Sequence, residues 1–282
     1  MRWLVTGALG MLGTDLMGML ADRGHEAVGI DREDVDITDA RATADIARGF
    51  DVLVNCAAFT AVDPAEENEG TAFAVNAVGP ANLAAAARSA GARLVQISTD
   101  YVFDGEARTP YAEDAPIAPR SAYGRTKAAG EWAVRAGTPD HLVVRTAWLY
   151  GAHGPCFPRT IARVAAEKGG LDVVADQVGQ PTWTVDLSDL ILRLVAAEAP
   201  AGTYHGTSSG QTSWHGFAQA AVLAAGLDPQ IVRTTTSEAF VRPAPRPSYS
   251  VLGHESLRSI GVEPIGDWRS RWEQAAPTVL AG

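Results

Sequence analysis

Tyr123 and Lys127 are separated by three residues in the string YGRTK and can bring a phenol and an amine together. At the start of a helix, such residues share one face. A lysine ammonium beside a phenol favours the phenolate, so the spacing predicts that the pKa of Tyr123 lies below its ordinary value of about 10. Such a tyrosine can donate a proton to a carbonyl oxygen as a hydride reaches the carbon. Taken alone, the pattern is equally consistent with an exposed helix face.

A polar segment ahead of this pair supplies further groups for the same chemistry. The run RLVQIS (93–98) predicts a strand that delivers four side chains to the carboxyl edge of a sheet, namely Ser98, Thr99, Asp100 and Tyr101. Ligands bind at this edge in open α/β sheets. We therefore expect Thr99 to hydrogen-bond the carbonyl oxygen that Tyr123 protonates.

A glycine-spaced loop opens the chain. Gly7, Gly10 and Gly13 directly follow the apolar run RWLVT (2–6) and precede the helical pattern Leu12, Leu16, Met19 and Leu20. In this strand, turn and helix order, backbone N–H groups at a helix N-terminus can bind a pyrophosphate. The glycines can also serve only to permit a sharp turn. With the Tyr123 pair, the loop indicates an oxidoreductase that uses NADPH or NADH.

The end of the second predicted strand carries two groups with opposite implications for the cofactor. Asp31 lies where an acid can bind the adenine-ribose hydroxyls of NAD, whereas Arg32 can pair with the 2′-phosphate of NADP. Cofactor choice therefore stays open, and both residues can instead be solvated charges. We expect Asp36 and Ile37 to lie against the adenine.

A second cofactor contact is predicted after the third strand. Ala57, Ala58 and Thr60 follow the buried run VLVNCA (52–57), at the place where the chain passes the cofactor. Their small side chains would let the dinucleotide lie close.

The order of elements predicts an α/β fold, with a Rossmann-like doubly wound parallel sheet and a smaller, mostly C-terminal α/β substrate lobe. We assign residues 1–150 to the dinucleotide-binding domain, with a return near 176–197, and residues 151–175 and 198–282 to the lobe. The predicted strands are RWLVT, EAVGID (26–31), VLVNCA, RLVQIS and HLVVRTAW (141–148), with a short one near LDVVA (171–175). Between them lie Ala-rich helical stretches, notably 70–90.

Composition excludes several function classes. A net charge of −10 over 282 residues opposes binding to nucleic acid or anionic membranes. No apolar run approaches the roughly 20 residues that span a bilayer, and the chain shows no signal-peptide layout, so we expect a cytoplasmic protein. Cys56 and Cys156 lie far apart without His clustering, which predicts neither a disulfide framework nor a zinc site.

Six motifs spread along the chain resemble those of the dTDP-4-dehydrorhamnose reductase family, in the sugar-nucleotide branch of the extended short-chain dehydrogenases/reductases. They are VTGALGMLGTDL, NCAAFTAVDPAEEN, STDYVFDG, YGRTKAAGE, VVRTAWLYG and DQVGQPT, and the later RPAPRPSYSVL and DWR also match. The resemblance implies reduction of the C4 ketone of dTDP-4-dehydro-L-rhamnose by NADPH or NADH, giving dTDP-L-rhamnose. A homodimer is also an expectation.

The resemblance also implies residue roles. The catalytic residues would be Thr99, Tyr123 and Lys127, and Asn76 in AVNAVG would lie near the nicotinamide. Met11 and Leu12 would join the glycines in binding the cofactor. Sugar contacts would come from Asp100, Tyr101 and Trp148. The Trp148 indole can pack on an apolar sugar face, although plain core packing is the alternative.

Two departures from the family bear on substrate and metal, and two arginines bear on the substrate diphosphate. In place of an Asn-Phe pair after WLYG stands GAHGPCFPRT, with Cys156 before Phe157. Only Asp15 loosely matches an acid of a magnesium site in the family, and we predict no metal. Arg242 and Arg246 can meet the substrate diphosphate, or can equally be surface charges.

Three alternatives stay in view. A reductase of a related dTDP-4-keto-6-deoxysugar, of the dihydrostreptose type, would share the chemistry. A noncatalytic member resembling the regulatory subunit of methionine adenosyltransferase would act by binding a partner, but the retention of Thr99, Tyr123 and Lys127 argues against it. An epimerase or dehydratase would need another acid/base pair, and STDYVF has Thr-Asp where dehydratases have Asp-Glu.

Overall fold

Strands and helices alternate along most of the chain, whose computed structural model describes residues 1–281. The strands are β1 (Arg2–Thr6), β2 (Glu26–Ile30), β3 (Val52–Asn55), β4 (Arg93–Thr99), β5 (His141–Thr146), β6 (Leu149–Tyr150), β7 (Leu171–Val174), β8 (Val178–Gly179), β9 (Thr182–Trp183), β10 (Gly202–His205), β11 (Ser208–Ser209), β12 (Thr212–Ser213), β13 (Val232–Thr235) and β14 (Ile265–Asp267).

The α-helices follow the same order. They are α1 (Met11–Asp22), α2 (Ala40–Thr43), α3 (Val62–Glu67), α4 (Glu69–Phe73), α5 (Gly79–Ala90), α6 (Ala122–Gly137), α7 (Phe157–Lys168), α8 (Thr184–Ala196), α9 (Trp214–Ala224), α10 (Glu255–Ser259) and α11 (Trp268–Ala281). A π-helical turn, Ala74–Val78, joins α4 to α5, so the predicted helix over 70–90 is nearly continuous. Within the described residues, no helix is both long and apolar enough to cross a membrane.

Six parallel strands form the central sheet, in the order β10-β5-β4-β3-β1-β2. Leucines of α1 and α8 pack on one face, and α5 and α6 cover the other. Strands buried on both faces must be apolar throughout, which explains runs such as VLV in β3. The predicted Rossmann-like doubly wound fold is confirmed.

A smaller lobe lies beyond the sheet. β7, the strand predicted near LDVVA, pairs in parallel with β13, and aromatic residues of α9 and α11 fill the core beside it, including Phe217, Trp268 and Trp272. The predicted domain boundaries stay a prediction. One strand of the 198–282 segment, β10, belongs to the main sheet, because it pairs with β5. Its sequence GTYH is too short and too polar to indicate a buried strand.

The glycine loop between β1 and α1 requires glycine at two of its positions. Gly7 has φ +68°, and a Cβ on it would lie 2.6 Å from the backbone nitrogen of Ala57. A Cβ on Gly13 would lie 2.2 Å from the Gly7 carbonyl oxygen. The first turn of α1 therefore rests directly on the loop. Gly18, one turn further along the same helix, faces open space.

Replacing Gly13 with alanine is expected to lower the free energy of unfolding by about 1 to 3 kcal/mol, because the methyl group overlaps the Gly7 carbonyl. Gly18→Ala is the matched control, and we expect it to raise that free energy by roughly 0.5 to 1 kcal/mol through helix propensity. Urea unfolding of the two variants measures both effects. Equal effects of the two substitutions would contradict this account of the loop.

Candidate active site

The start of α6 brings Tyr123 to the carboxyl edge of the sheet. The Gly124 N–H donates to the Ser121 hydroxyl over 3.0 Å, which caps the helix. A Cβ on Gly124 would lie 2.2 Å from the Tyr101 carbonyl oxygen, so the helix contacts the segment after β4 directly. The rings of Tyr123 and Tyr101 meet edge to face with centroids 5.5 Å apart.

Lys127 lies one turn further along α6 and is buried, with 4% of its surface exposed. Its Nζ donates to the Ile97 carbonyl over 2.7 Å. Burial lowers the pKa of Lys127 to about 8, although the Glu131 carboxylate on the next turn opposes this shift. The amine therefore remains mostly protonated at neutral pH, with two further N–H donors.

The prediction of a lowered pKa for Tyr123 is wrong. Burial raises the pKa of Tyr123 well above its ordinary value, the Thr99 hydroxyl opposes this shift, and the charge of Asp100 adds to it. Removal of the phenol from water outweighs any effect of Lys127, whose amine is engaged by Ile97. The phenol is thus fully protonated at physiological pH, which is the state a proton donor requires.

Thr99 and Asp100 form a buried pair beside the phenol. The Thr99 hydroxyl donates to Asp100 Oδ1 over 2.9 Å and accepts from the Tyr101 N–H over 3.2 Å. Within the described chain, Asp100 Oδ2 is buried without a hydrogen-bond partner. Burial raises the pKa of Asp100 to about 6, against the effect of the Ser250 and Thr99 hydroxyls.

Asn76 sits in the π-helical turn and clamps the loop after β3. Its Oδ1 accepts from the Phe59 N–H over 2.8 Å, and its Nδ2 donates to the Phe59 carbonyl and to Thr126 Oγ1 over 3.0 and 3.1 Å. All hydrogen-bonding groups of the amide are engaged inside the protein. Asn76 therefore fixes the loop that carries Ala57, Ala58 and Thr60. Its place near the nicotinamide stays a prediction.

A row of buried polar side chains crosses the sheet towards Lys127, and the sequence analysis missed it. Thr6 donates to Asn55 over 2.6 Å, and Asn55 donates to Gln96 over 2.8 Å. Gln96 in turn donates to the Ile97 carbonyl, which also accepts from Lys127. The sequence does carry a signal for this row of polar side chains, because two of the apolar strands each contain one amide residue, Asn55 and Gln96.

The predicted ribose end of the site lies beside the glycine loop. Asp31 Oδ2 accepts from the Leu9 N–H over 3.1 Å, and Oδ1 accepts from the Arg32 N–H over 2.8 Å. Asp31 thus holds the loop, while the Arg32 side chain is exposed. The structure leaves the choice between the two predicted cofactor contacts open.

The residues that are predicted to contact the adenine and the pyrophosphate differ in how far they are exposed. Asp36 accepts from both the backbone and the hydroxyl of Thr38, which lowers the pKa of Asp36. Ile37 and Leu12 are buried core residues, with 7% and 6% of their surface exposed. Met11 is half-buried.

Trp148 has φ +48°, an unusual backbone conformation for a bulky residue. Its ring stacks on Trp214, with centroids 3.6 Å apart, and a Cβ on Gly179 would lie 2.5 Å from the indole. The protein itself thus covers one face of Trp148, as the packing alternative expects. Contact with a sugar stays a prediction. Trp214 is a neighbour that the sequence analysis missed.

Asp63 in α3 anchors the proline-rich segment that carries the two predicted arginines. Its Oδ2 lies 2.9 Å from Arg246 and 3.8 Å from Arg242, and its Oδ1 accepts from the Ala244 N–H over 3.2 Å. The Arg246 side chain is 22% exposed and that of Arg242 58% exposed. Arg246 also lines a small cavity of about 180 Å³ next to Tyr101. The arginine nearer to the candidate site is therefore Arg246.

The divergent segment GAHGPCFPRT turns back on itself. Arg159 donates to the carbonyls of Ala152 and Gly154 over 2.7 and 3.0 Å. Asp15 accepts from the Thr184 hydroxyl and lies 3.4 Å from His153 Nε2. Among residues 1–281, no group of three or more acidic, His or Cys side chains is arranged to hold a metal ion.

Comparison with known proteins extends the similarity to the whole chain. The family model described as RmlD substrate binding domain matches residues 1–280. A relative from Streptomyces antibioticus named "Probable dTDP-4,6-dihydroxy-2-methyloxan-3-one 4-ketoreductase" is 49% identical over 100% of this chain and 96% of its own. A dTDP-4-dehydrorhamnose reductase from Streptomyces griseus is 48% identical over 99% and 94% of the two chains. The crystal structure of a dTDP-4-dehydrorhamnose reductase from Bacillus anthracis in complex with NADP is 36% identical, with a TM-score of 0.94 over 97% and 98%.

Asp100→Asn is expected to raise the free energy of unfolding at pH 8 by on the order of 1 to 3 kcal/mol. The folded-state pKa of Asp100, about 6, lies above its ordinary 3.8. The folded state therefore binds more protons between these values, and wild-type stability falls as the pH rises through that window. Asparagine carries no charge and avoids this cost. Urea unfolding at pH 8 and at pH 4 should show the gain shrinking towards pH 4, and an equal gain at both would refute the assignment.

Proposed function

Because the chain belongs to the RmlD substrate-binding-domain family, we propose that it catalyses the NAD(P)H-dependent reduction of the C4 ketone of dTDP-4-dehydro-L-rhamnose to dTDP-L-rhamnose. The observation that carries this proposal is the convergence of Thr99, Tyr123 and Lys127 at the carboxyl edge of the sheet, beyond a glycine loop. The relatives' names supply the substrate.

The residues present fit a dinucleotide cofactor. A side chain at Gly7 or Gly13 would overlap the backbone of the loop that is predicted to hold the pyrophosphate. Asp31 or Arg32 would bind the adenine ribose, and Lys127 would donate to the nicotinamide ribose. When bound, the cofactor supplies the hydride. The NADP in the Bacillus anthracis structure supports NADPH as one form that the chain uses.

The chain's own residues handle the proton and the carbonyl oxygen. Tyr123, kept protonated by burial, donates its phenolic proton to the C4 oxygen. The Thr99 hydroxyl, which donates to Asp100 in this structure, would turn its one proton to the same oxygen, so that developing negative charge meets two donors. Asp100 Oδ2 offers a buried acceptor beside the reacting centre, as a sugar hydroxyl requires.

A second candidate is reduction of a related dTDP-4-keto-6-deoxysugar. It is favoured by the 49% sequence identity to the Streptomyces antibioticus ketoreductase. That identity is as high as the 48% identity to the Streptomyces griseus enzyme. The catalytic chemistry would be shared, and one hydroxyl contact of about 1 to 3 kcal/mol can reverse the preference between sugars.

A cytoplasmic location and a homodimer stay predictions, and the free thiols of Cys56 and Cys156 suit a reducing compartment.

The purified protein should oxidise NADPH or NADH when freshly generated dTDP-4-dehydro-L-rhamnose is added, with dTDP-L-rhamnose as the product. Tyr123→Phe removes the proton donor and is expected to lower kcat by about 10² to 10⁴-fold. Absorbance at the reduced-nicotinamide band measures turnover, and nicotinamide fluorescence measures cofactor binding, which the variant should keep. Full activity of Tyr123→Phe would exclude the assigned role, whereas turnover of only a related ketosugar would favour the second candidate.

Arg246→Ala is expected to raise KM for the nucleotide sugar by about 10-fold or more, since a charge-assisted hydrogen bond to the diphosphate would be lost. Arg242→Ala is the matched control, from the same segment and with the same partner, Asp63. Because Arg242 is more exposed, we expect less than about a threefold change. Steady-state kinetics of both variants decide the point, and a larger effect at Arg242 would reverse the assignment.

A further inference from the structure

Three carboxylates of the segment VDPAEENE point from α3 and α4 to three different partners. Asp63 binds the proline-rich segment through Arg246, and Glu69 binds Arg125 with two contacts of 2.8 Å. The third, Glu66, accepts from the Ala122 N–H, with its Oε1 2.8 Å away. Ala122 is the first residue of α6 and immediately precedes Tyr123.

The contact of Glu66 satisfies a specific need of the helix. The first four N–H groups of an α-helix have no acceptor within the helix. At the start of α6, Ser121 accepts from Gly124, and Glu66 accepts from Ala122. A carboxylate at this end also interacts favourably with the helix dipole.

The same contact ties the proton donor to the cofactor loop. α3 begins directly after the loop that carries Ala57, Ala58 and Thr60. A hydrogen bond from α3 to the residue before Tyr123 therefore fixes the proton donor relative to the loop predicted to pass the cofactor. Gly124 packs closely on the Tyr101 carbonyl, so a second contact also holds the start of α6.

We propose that Glu66 is a positioning residue for Tyr123, a role that rests on the proposed reductase function. Glu66 sets the position of the phenol through the Ala122 N–H and touches neither substrate nor cofactor. Displacements of about 1 Å at a reacting group can cost about 10²-fold in rate. Loss of Glu66 therefore acts on the chemical step rather than on substrate binding.

The test compares three variants at two carboxylates, Glu66 and Glu69, which both contact the first turn of α6. Glu66→Ala removes the acceptor and is expected to lower kcat about 10-fold with KM unchanged. Glu66→Gln keeps an oxygen that can accept from Ala122, and its kcat should stay within about twofold of wild type. Glu69→Ala is the matched control, because it loses a half-exposed pair with Arg125 on the outer face and should leave both constants unchanged.

Hydrogen exchange of the peptide 118–126, measured without substrate, gives a second readout that does not require turnover. Exchange should be faster in Glu66→Ala than in wild type, Glu66→Gln or Glu69→Ala. If wild type fails to reduce the sugar, the proposed function fails, and exchange alone still decides whether Glu66 holds the start of α6. Unchanged exchange in Glu66→Ala, unchanged kcat, or equal loss of kcat in the alanine and glutamine variants would each overturn the proposal.

Discussion

A buried lysine needs polar partners, and the hydrogen bond from Lys127 to the Ile97 carbonyl is the contact around which the candidate site is arranged. Ile97 lies one residue beyond Gln96, the last residue of β4 that pairs with β3, while the pairing of β4 with β5 continues to Thr99. Gln96 donates to the same oxygen and links it through Asn55 to Thr6 at the end of β1. The strand that leads into the glycine loop and the strand that positions Lys127 are thus one hydrogen-bonded unit.

Burial shifts the pKa values of Tyr123 and Lys127 in directions that suit proton donation by the tyrosine. It lowers the pKa of Lys127 and raises that of Tyr123, because in each case the charged form loses its hydration. At neutral pH the amine still carries its charge and the phenol still carries its proton. In the proposed reaction, the lysine would act through hydrogen bonds and charge, and the tyrosine would keep its proton until a carbonyl oxygen develops negative charge beside it.

Local patterns were sufficient for the parts of the site that are adjacent in sequence. The order of strand, glycine loop and helix, and the YxxxK spacing at the start of α6, each depend on a short stretch of chain. The pKa of Tyr123 was predicted wrongly because the exclusion of water from the phenol depends on residues that are distant in sequence, such as Tyr101, whose ring packs against it. Contacts such as Asn55 with Gln96 or Glu66 with Ala122 join residues 41 and 56 positions apart, so no local pattern could indicate them.

Trp148, which is predicted to contact the sugar, is held by different residues from those that hold the predicted proton donor. Trp148 has a left-handed backbone conformation that costs free energy, and its ring is held by stacking on Trp214 and by the tight approach of Gly179. Trp148 follows β5 of the main sheet, whereas Trp214 begins α9 of the lobe. Packing inside the lobe therefore sets the position of this indole without moving the sheet edge. Because the stacking partner of Trp148 belongs to the lobe, a change in the lobe can move this indole while the start of α6 keeps its geometry.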